Sequence, residues 1–432
     1  MNVLVIGRGG REHAICKKLN ESPNVDTVFC APGNAGIGFD ATLVPIEESA
    51  HEQLIQFAKE QHIELVIVGP ENPLLEGIVN QFQQAGIRVF GPTKEAALIE
   101  GSKSFAKALM KKYNIPTAKY ETFDHFEEAK KYIKQHGAPI VIKADGLAAG
   151  KGVVVAMTEE EAFEALEEMM IHGKFGDAST RVVIEEFLQG EEFSLMAFVH
   201  GEAVYPMVIA QDHKRAFDHD EGPNTGGMGA YSPVPHIPES VVDAAINDIL
   251  LPTAQALVKE GRPFTGILYA GLMNTADGPK VIEFNARFGD PETQVVLPRM
   301  KSDLVEVIMH VLENKPVTIE WEKQAVVGVV VAAKGYPGSY EKEFPLVGLE
   351  DISTTVDLFH AGTKKDVHDN WVANGGRLYL VAGKGTTIAE AQQKVYQELE
   401  KVAQDNVFFR RDIGNKGITF GSFSNDGYIR TK

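Results

Sequence analysis

Glu283 and Asn285 stand two residues apart in the stretch Lys280–Gln294, KVIEFNARFGDPETQ, where Val281, Ile282 and Phe284 are strand formers. Side chains two apart on a strand share a face, so a carboxylate and an amide oxygen would sit side by side. Such hard oxygen donors suit Mg²⁺ rather than zinc. Arg287 keeps the same parity, and its planar guanidinium would meet an anion. Gly289 and Pro291 then break the strand and leave Asp290 and Glu292 on a turn. An isolated E-x-N is more often a solvated strand end, so its weight depends on the rest of the chain.

The next candidate is APIVIKADGLAAGKGVVVAM, which reads as strand Pro139–Lys143 joined to strand Val153–Met157 by the loop Ala144–Gly152. The loop resembles a P-loop but is one residue short, lacks the Ser/Thr that would bind Mg²⁺, and runs into a strand instead of a helix. It is expected to be a different phosphate cradle, a flexible hairpin whose amides near Gly150 and Gly152 fold over a triphosphate. Lys143 would set its ammonium on the phosphates, and Lys151 flanks the turn. A glycine-rich turn with no ligand is the bland alternative. In Arg181–Ser194, RVVIEEFLQGEEFS, a strand ending in Glu185, Glu186, Phe187 and Leu188 would offer backbone groups and apolar walls to a purine. Glu192 or its neighbour Glu191 would hold ribose hydroxyls. Taken alone, this stretch is only a strand and a hairpin.

Gln211–Pro233 is dense in glycine, charge and histidine, and a loop of that length inside a compact domain is usually functional or disordered. His213, His219, Asp218 and Asp220 suggest a metal cluster, but solvated loop histidines are far commoner. A closing or substrate-binding loop is the expectation.

The elements that must position these residues are legible in outline. Strands at Asn2–Ile6, Thr27–Cys30, Glu64–Val68 and Arg88–Phe90 alternate with helices such as His13–Leu19, His51–Gln61 and Leu74–Ala85. This predicts an open parallel sheet with its ligand site outside the carboxyl ends of the strands. Gly7–Gly10 fails as a dinucleotide fingerprint, because Glu12 stands where the third glycine belongs and no acid ends the second strand. A helix N-terminus with free amides would still welcome a phosphate, with Arg11 placed to help. A helical link, Lys94–Tyr113, carries Lys103. Helix Glu239–Glu260, strand Gly266–Met273 and helix Ser302–Glu313 complete the central part. From about Ala325 the chain turns strand-rich, ending in a helix at Thr387–Gln404, with no catalytic cluster in sight.

Composition sets the class. With 432 residues, 44% hydrophobic and 24% charged, the chain suits a soluble protein of two to four domains. A net charge of −18 argues against nucleic acid, since no basic stripe exists to release phosphate counterions. Cys16 and Cys30 lack metal-ligand spacing and read as core residues of a reducing compartment. No signal peptide precedes the first strand, and the longest apolar run, Ala325–Ala333, is too short to cross a bilayer. No membrane partner and a cytoplasmic location are expected.

With GRGGREH, GNAG, GPE, KADGLAAGKGV, EEFLQGEE, DHKR…GPNTGGMGAYSP and RFGDPETQ laid out, essentially the whole chain resembles the glycinamide ribonucleotide synthetase family of the ATP-grasp superfamily. The last two motifs are the specific ones; the grasp motifs alone indicate the superfamily. The resemblance implies an α/β protein, α+β in its central part: an ATP-grasp fold preceded by an open parallel-sheet domain and followed by a small strand-rich one. The expected bounds are 1–101, 102–323 with a mobile lid at about 118–190, and 324–432. It implies ligation of glycine to 5-phosphoribosylamine, with ATP and Mg²⁺ (or Mn²⁺), through a glycyl phosphate, in purine biosynthesis, by a monomer. Lys103 and Lys143 would hold phosphates, Glu283 and Asn285 the metal, and Glu185–Leu188 the adenine. Arg287 would stabilise the acyl phosphate, and Asp290 would orient the amine. Gly9, Gly10, Arg11, Asn34 and Glu71 would bind phosphoribosylamine, and Asp212 with the loop after it would bind glycine. His219 departs from the glycine expected there. Rival readings are a carboxylase using bicarbonate on the same scaffold, and a non-catalytic nucleotide sensor.

Overall fold

The computed structural model describes residues 1–148 and 150–420. Ala149 in the cradle loop, and 421–432 at the end of the expected third domain, lie outside the described residues. The first sheet is all parallel, in the order Thr42–Leu43, Thr27–Pro32, Asn2–Gly7, Ile63–Val68, Val89–Phe90. Its strands Asn2–Gly7 and Ile63–Val68 are rich in β-branched residues and mostly buried, as a parallel sheet covered on both faces requires. The order reverses between Asn2–Gly7 and Ile63–Val68, so a crevice opens where these two strands end.

Local chemistry shifts two of the expected boundaries. The first helix spans Gly10–Asn20, beginning three residues earlier than its apolar period suggests and directly after the first turn. The helix expected at Leu74–Ala85 is two, Glu71–Glu76 and Ile78–Gln84, because Gly77 at φ +90° ends one turn and starts the next. Glu71 therefore sits in the first turn of a helix, pointing at the crevice.

The central part holds two antiparallel sheets. One, ordered Tyr120–Phe123, Val182–Glu186, Ile140–Ala144, Val153–Ala156, carries helices Phe126–His136 and Glu159–Met170. Thr158 caps the second of these helices, its hydroxyl accepting from Glu161 N–H at 3.2 Å. This unit has its own small core of Ile133, Ile142, Leu166, Ile184 and neighbours, separate from the two larger cores. The other sheet, ordered Ala203–Pro206, Glu191–His200, Thr265–Thr275, Gly278–Asn285, is the floor. The helical stretch Glu239–Lys259 is long and apolar enough, by length and composition alone, to cross a membrane. Core helices of soluble proteins pass the same test, and here Ala245, Ile249, Leu250, Ala254 and Leu257 belong to the main core.

The segment expected to be the long loop Gln211–Pro233 is ordered into short strands. Arg215–Phe217 and Glu221–Asn224 pair as a ribbon, and Gln211–Asp212 and Gly229–Ser232 join the carboxyl-terminal sheet beside Ala325–Ala333. The polar composition hid the local ribbon, and the strand that pairs with Gly229–Ser232 lies about a hundred positions away in sequence. Asp218 accepts from Arg411 N–H at 2.7 Å, and Asp220 pairs with Arg410 at 3.0 Å and Lys416 at 3.4 Å. These acids anchor the ribbon to the last domain and do not gather round a metal. His219 adopts φ +62°, a left-handed turn in which glycine is the least strained residue.

Gly190, at φ +151°, crosses close over the floor: a Cβ there would lie 2.0 Å from the carbonyl oxygen of Asn274. Gly190→Ala is expected to destabilise the protein by about 2 kcal/mol, read as a fall in the urea midpoint. An unchanged midpoint would refute the close approach.

Candidate functional site

The crevice of the first domain, the hairpin of the second sheet and the floor enclose two contiguous cavities of about 340 and 570 Å³. The larger runs between the hairpin sheet and the floor. Val141, Val155, Leu188 and Ile282 give it apolar walls, with Glu186, Phe187, Glu191 and Glu192 around them. The smaller gathers most of the charged side chains, among apolar ones such as Ile99, Met110, Leu147 and Phe284. Lys103, Lys143, Gly150, Gly152, Glu185, Arg11, Glu71, Asp212, Glu283, Asn285, Arg287 and Asp290, all singled out from sequence, line it.

Glu283 and Asn285 face this cavity from the end of the floor strand Gly278–Asn285. Burial would raise the Glu283 carboxyl, but Lys214, Lys143 and Lys103 outweigh it and hold it below the usual carboxylate range. The Asn285 amide satisfies its neighbours when its NH₂ donates to the Phe284 carbonyl and to Glu100, at 3.2 Å each. Its oxygen then remains an acceptor. A charged carboxylate beside an amide oxygen fits Mg²⁺, which takes few protein ligands and keeps waters and phosphates for the rest.

Most of the buried charges here are paired. Glu185 lies between two lysines, 3.0 Å from Lys143 and 3.2 Å from Lys107. Lys107 also donates to Thr117 at 2.8 Å, and burial lowers it to about 8 against the pull of Glu185. The side chain of Glu185 is thus committed to lysines, and its backbone lies in the sheet between Tyr120 and Val141. Arg287 reaches Glu100 at 2.9 Å and Glu71 at 3.3 Å. Asp290 pairs with Arg377 at 3.2 Å and accepts from Gln294 at 2.8 Å. Lys214 bridges Glu192 at 3.4 Å and Glu283 at 3.8 Å. Lys151 turns away from the cavities and donates to the Pro337 carbonyl at 3.1 Å.

The first turn differs from the expectation of free amides. Glu12 is fully buried there, accepting from Gly9 N–H at 2.7 Å and from Arg11 at 2.6 Å. Its carboxylate fills the crevice between the first and fourth strands, where a Cβ on Gly69 would lie 1.9 Å from it. Because the protein supplies its own anion to that helix N-terminus, Gly9 and Gly10 stand behind the cavity rather than in its lining. Asn34 is also committed, donating to the Arg8 and His360 carbonyls and accepting from Ile37 N–H.

Comparison with known proteins agrees with this architecture. Models of the phosphoribosylglycinamide synthetase N domain, ATP-grasp (A) domain and C domain match residues 1–100, 101–293 and 326–416. The chain belongs to the phosphoribosylglycinamide synthetase family. It is 63% identical over 97% of both chains to the phosphoribosylamine–glycine ligase of Halalkalibacterium halodurans. The crystal structure of the phosphoribosylamine–glycine ligase of Thermotoga maritima superposes with a TM-score of 0.84 at 36% identity, covering 96% of this chain and all of that one. A biotin carboxylase from Campylobacter jejuni shares the fold, with a TM-score of 0.69 at 16% identity over 95% of this chain and 93% of that one. At that identity the likeness is of fold alone.

Within this synthetase-family site, sequence reasoning passed over Glu100, Lys107, Lys214, Tyr269 and Arg377. Arg377 is the instructive one. It opens an apolar strand, Arg377–Gly385, in a domain judged free of catalytic groups, yet it enters the cavity and also donates to the Gly226 carbonyl at 2.9 Å. A lone arginine heading an apolar strand was the available signal.

Burial lifts the Glu100 carboxyl from 4.5 to about 6, with Arg287 opposing and Glu71 adding to the rise. A carboxyl raised on folding favours the folded state fully below its unfolded value and loses that contribution as pH climbs through the folded one. From about pH 3.5 to 7 wild type should therefore lose about 2 kcal/mol relative to Glu100→Gln, measured by urea unfolding across that range. Parallel pH profiles would sink the assignment.

Proposed function

We propose that this protein joins glycine to 5-phosphoribosylamine with ATP, giving glycinamide ribonucleotide, ADP and phosphate in purine biosynthesis. The observation that carries the reading is the small cavity where the three matched domains meet. Lys103 from the helical link, Lys143 from the hairpin sheet and Lys214 just before the ribbon surround Glu283 there, with Arg287 also near. Relatives above 50% identity over nearly the full chain are named for this reaction.

A carboxylate is a poor electrophile, so an oxygen of glycine attacks the γ-phosphorus of ATP while the bond from that phosphorus to the β-phosphate oxygen breaks, releasing ADP. The sugar amine then attacks the acyl carbon, the C–O bond to phosphate breaks, and the amine sheds a proton. Phosphoryl transfer asks chiefly for positioning and charge neutralisation. In our reading the apolar cavity takes adenine against Phe187 and Leu188, with the backbone of Glu185 and Glu186 at its edge and Glu191 or Glu192 on ribose. Lys103 and Lys143 hold phosphates beneath the hairpin carrying Gly150 and Gly152. Glu283 and Asn285 hold Mg²⁺ or Mn²⁺, which when bound would neutralise phosphate charge.

Arg287 faces the acyl phosphate, Asp290 orients the amine, and Asp212 serves glycine. Arg11 and Glu71 approach phosphoribosylamine from the first domain, assigned to 1–101. Gly9, Gly10 and Asn34 shape that wall by keeping its turns tight. The lid at about 118–190 moves as a unit within 102–323, since its core is its own, and 324–432 closes the far side through Arg377. Excluding water protects the acyl phosphate from hydrolysis.

The test is ADP release with ATP and Mg²⁺, adding glycine and freshly generated phosphoribosylamine singly and together, with mass detection of product. Sustained ADP release only with both, matched by glycinamide ribonucleotide, is the expected result. ADP driven by bicarbonate instead would overturn it in favour of a carboxylase. Lys143→Ala and Arg287→Ala should each lower turnover on the order of 10²–10³-fold with the circular dichroism spectrum intact. Wild-type turnover in either variant would remove that residue from the reaction.

A further inference from the structure

Lys103 and Lys107 stand four apart on the helix Lys103–Lys112, so they share a face. That face turns to the small cavity, and both residues line it. Glu185 comes from the hairpin sheet, where Val182–Glu186 runs antiparallel to Ile140–Ala144 and sets Glu185 opposite Val141. Lys143, two positions further along, is thus a diagonal neighbour of Glu185 on the same face. The three side chains meet away from water: Lys107 is 2% exposed, and Lys143 and Glu185 are 4% each.

The two lysines are held differently. Lys107 lies 3.2 Å from Glu185 Oε2, donates to the Thr117 hydroxyl at 2.8 Å and to the Ala118 carbonyl at 3.4 Å, and sits 5.4 Å from the centre of the Tyr120 ring. It is fully engaged. Lys143 donates to the Ile282 carbonyl at 3.0 Å. Glu185 Oε1 is also 3.0 Å from it, yet among the described residues that oxygen takes no hydrogen bond. This contact is one of charge, and Lys143 keeps ammonium protons for a ligand in the cavity.

We infer that Lys107 is a positioning residue for the phosphates of the nucleotide, supplying the positive charge that Glu185 would otherwise cancel at Lys143. The inference rests on the nucleotide reading above, in which Lys143 holds phosphates, and deepens it. Lys143 and Glu185 alone would form a neutral buried pair with little attraction for a polyanion. With Lys107 the triad carries one net positive charge, while the shared carboxylate keeps two buried ammonium groups from repelling each other. Burial lowers Lys107 to about 8 against the pull of Glu185, so it keeps its proton at neutral pH. Other nearby charges leave this count alone. Lys103 donates to the Gly146 carbonyl at 3.0 Å, Lys214 faces Glu192 and Glu283, and Glu186 accepts from Lys119 N–H at 2.9 Å.

The test compares wild type, Lys107→Gln, Glu185→Gln and the double variant, with circular dichroism on each. Calorimetry gives Kd for ATP with Mg²⁺, and ADP release gives KM for glycine. The triad's net charge is one positive in wild type, none in Lys107→Gln, two in Glu185→Gln, and one again in the double variant. Lys107→Gln should weaken ATP about 10- to 100-fold, the size of a lost charge-assisted contact, with KM for glycine within about twofold. The double variant should return Kd to within about fivefold of wild type, because Lys143 then keeps its own charge. A side chain that only fills space could not be compensated by removing a second buried charge. Where Lys107→Gln fails to fold, the other two variants carry the test: Glu185→Gln should bind ATP more tightly than wild type, and the double variant should bind it less tightly than Glu185→Gln. The reverse order would overturn the inference. Unchanged ATP affinity in Lys107→Gln, a loss that the double variant retains, or equal losses for both substrates would overturn it while leaving the ligase reading intact. Affinities that follow the charge order in a protein that makes no glycinamide ribonucleotide would overturn the ligase reading and leave the triad standing.

Discussion

Charges that fold into a low-dielectric cleft must be matched, because an ion removed from water and left unpaired costs several kcal/mol. That constraint shapes the centre of this protein. Glu185 lies between Lys107 and Lys143, Arg287 between Glu71 and Glu100, and Asp290 against Arg377. The Arg287 and Asp290 pairs tie the central part to the first and last domains, so matching these charges also fixes how the three domains meet. Breaking one pair leaves a partner stranded and loosens a domain junction together.

The same pairs distribute rigidity. The hairpin sheet has a core of its own, and Lys107 ties it to the floor. From the helix Lys103–Lys112 it reaches Glu185 in the hairpin sheet and Thr117, whose hydroxyl donates to the Val281 carbonyl at 2.7 Å, two residues before Glu283. Lys143 donates to the next carbonyl, Ile282, at 3.0 Å. Lys143 and the strand that bears Glu283 and Asn285 therefore share one hydrogen-bonded frame. Preorganisation of this kind spares the cost of ordering groups at the moment of reaction.

The crevice of the first domain works differently. Its helix N-terminus, where a phosphate would be favoured on electrostatic grounds, is already satisfied by Glu12, and Arg11 is held there in turn. What the domain presents to the cavity is a positioned arginine and the Glu71 carboxylate, with glycines at 7, 9 and 69 admitting the close approach of Glu12. A dinucleotide-type sheet order has been retained without the dinucleotide-type use of its first turn.

The sequence by itself determined the class of fold, the parity that sets Glu283 beside Asn285, the hairpin cradle with Lys143, and the family. Those properties are local or repeat along a strand, and a period of two or a glycine between β-branched runs is visible in one dimension. Only the tertiary structure decided which charges face one another. It took Asn34 into a turn and filled the first helix terminus with Glu12. It ordered Gln211–Asp212 and Gly229–Ser232 against Ala325–Ala333, and it drew Arg377 and Glu292 into the site. Pairing across the cleft depends on how separately folded surfaces pack, and residues up to a few hundred positions apart leave no spacing to read.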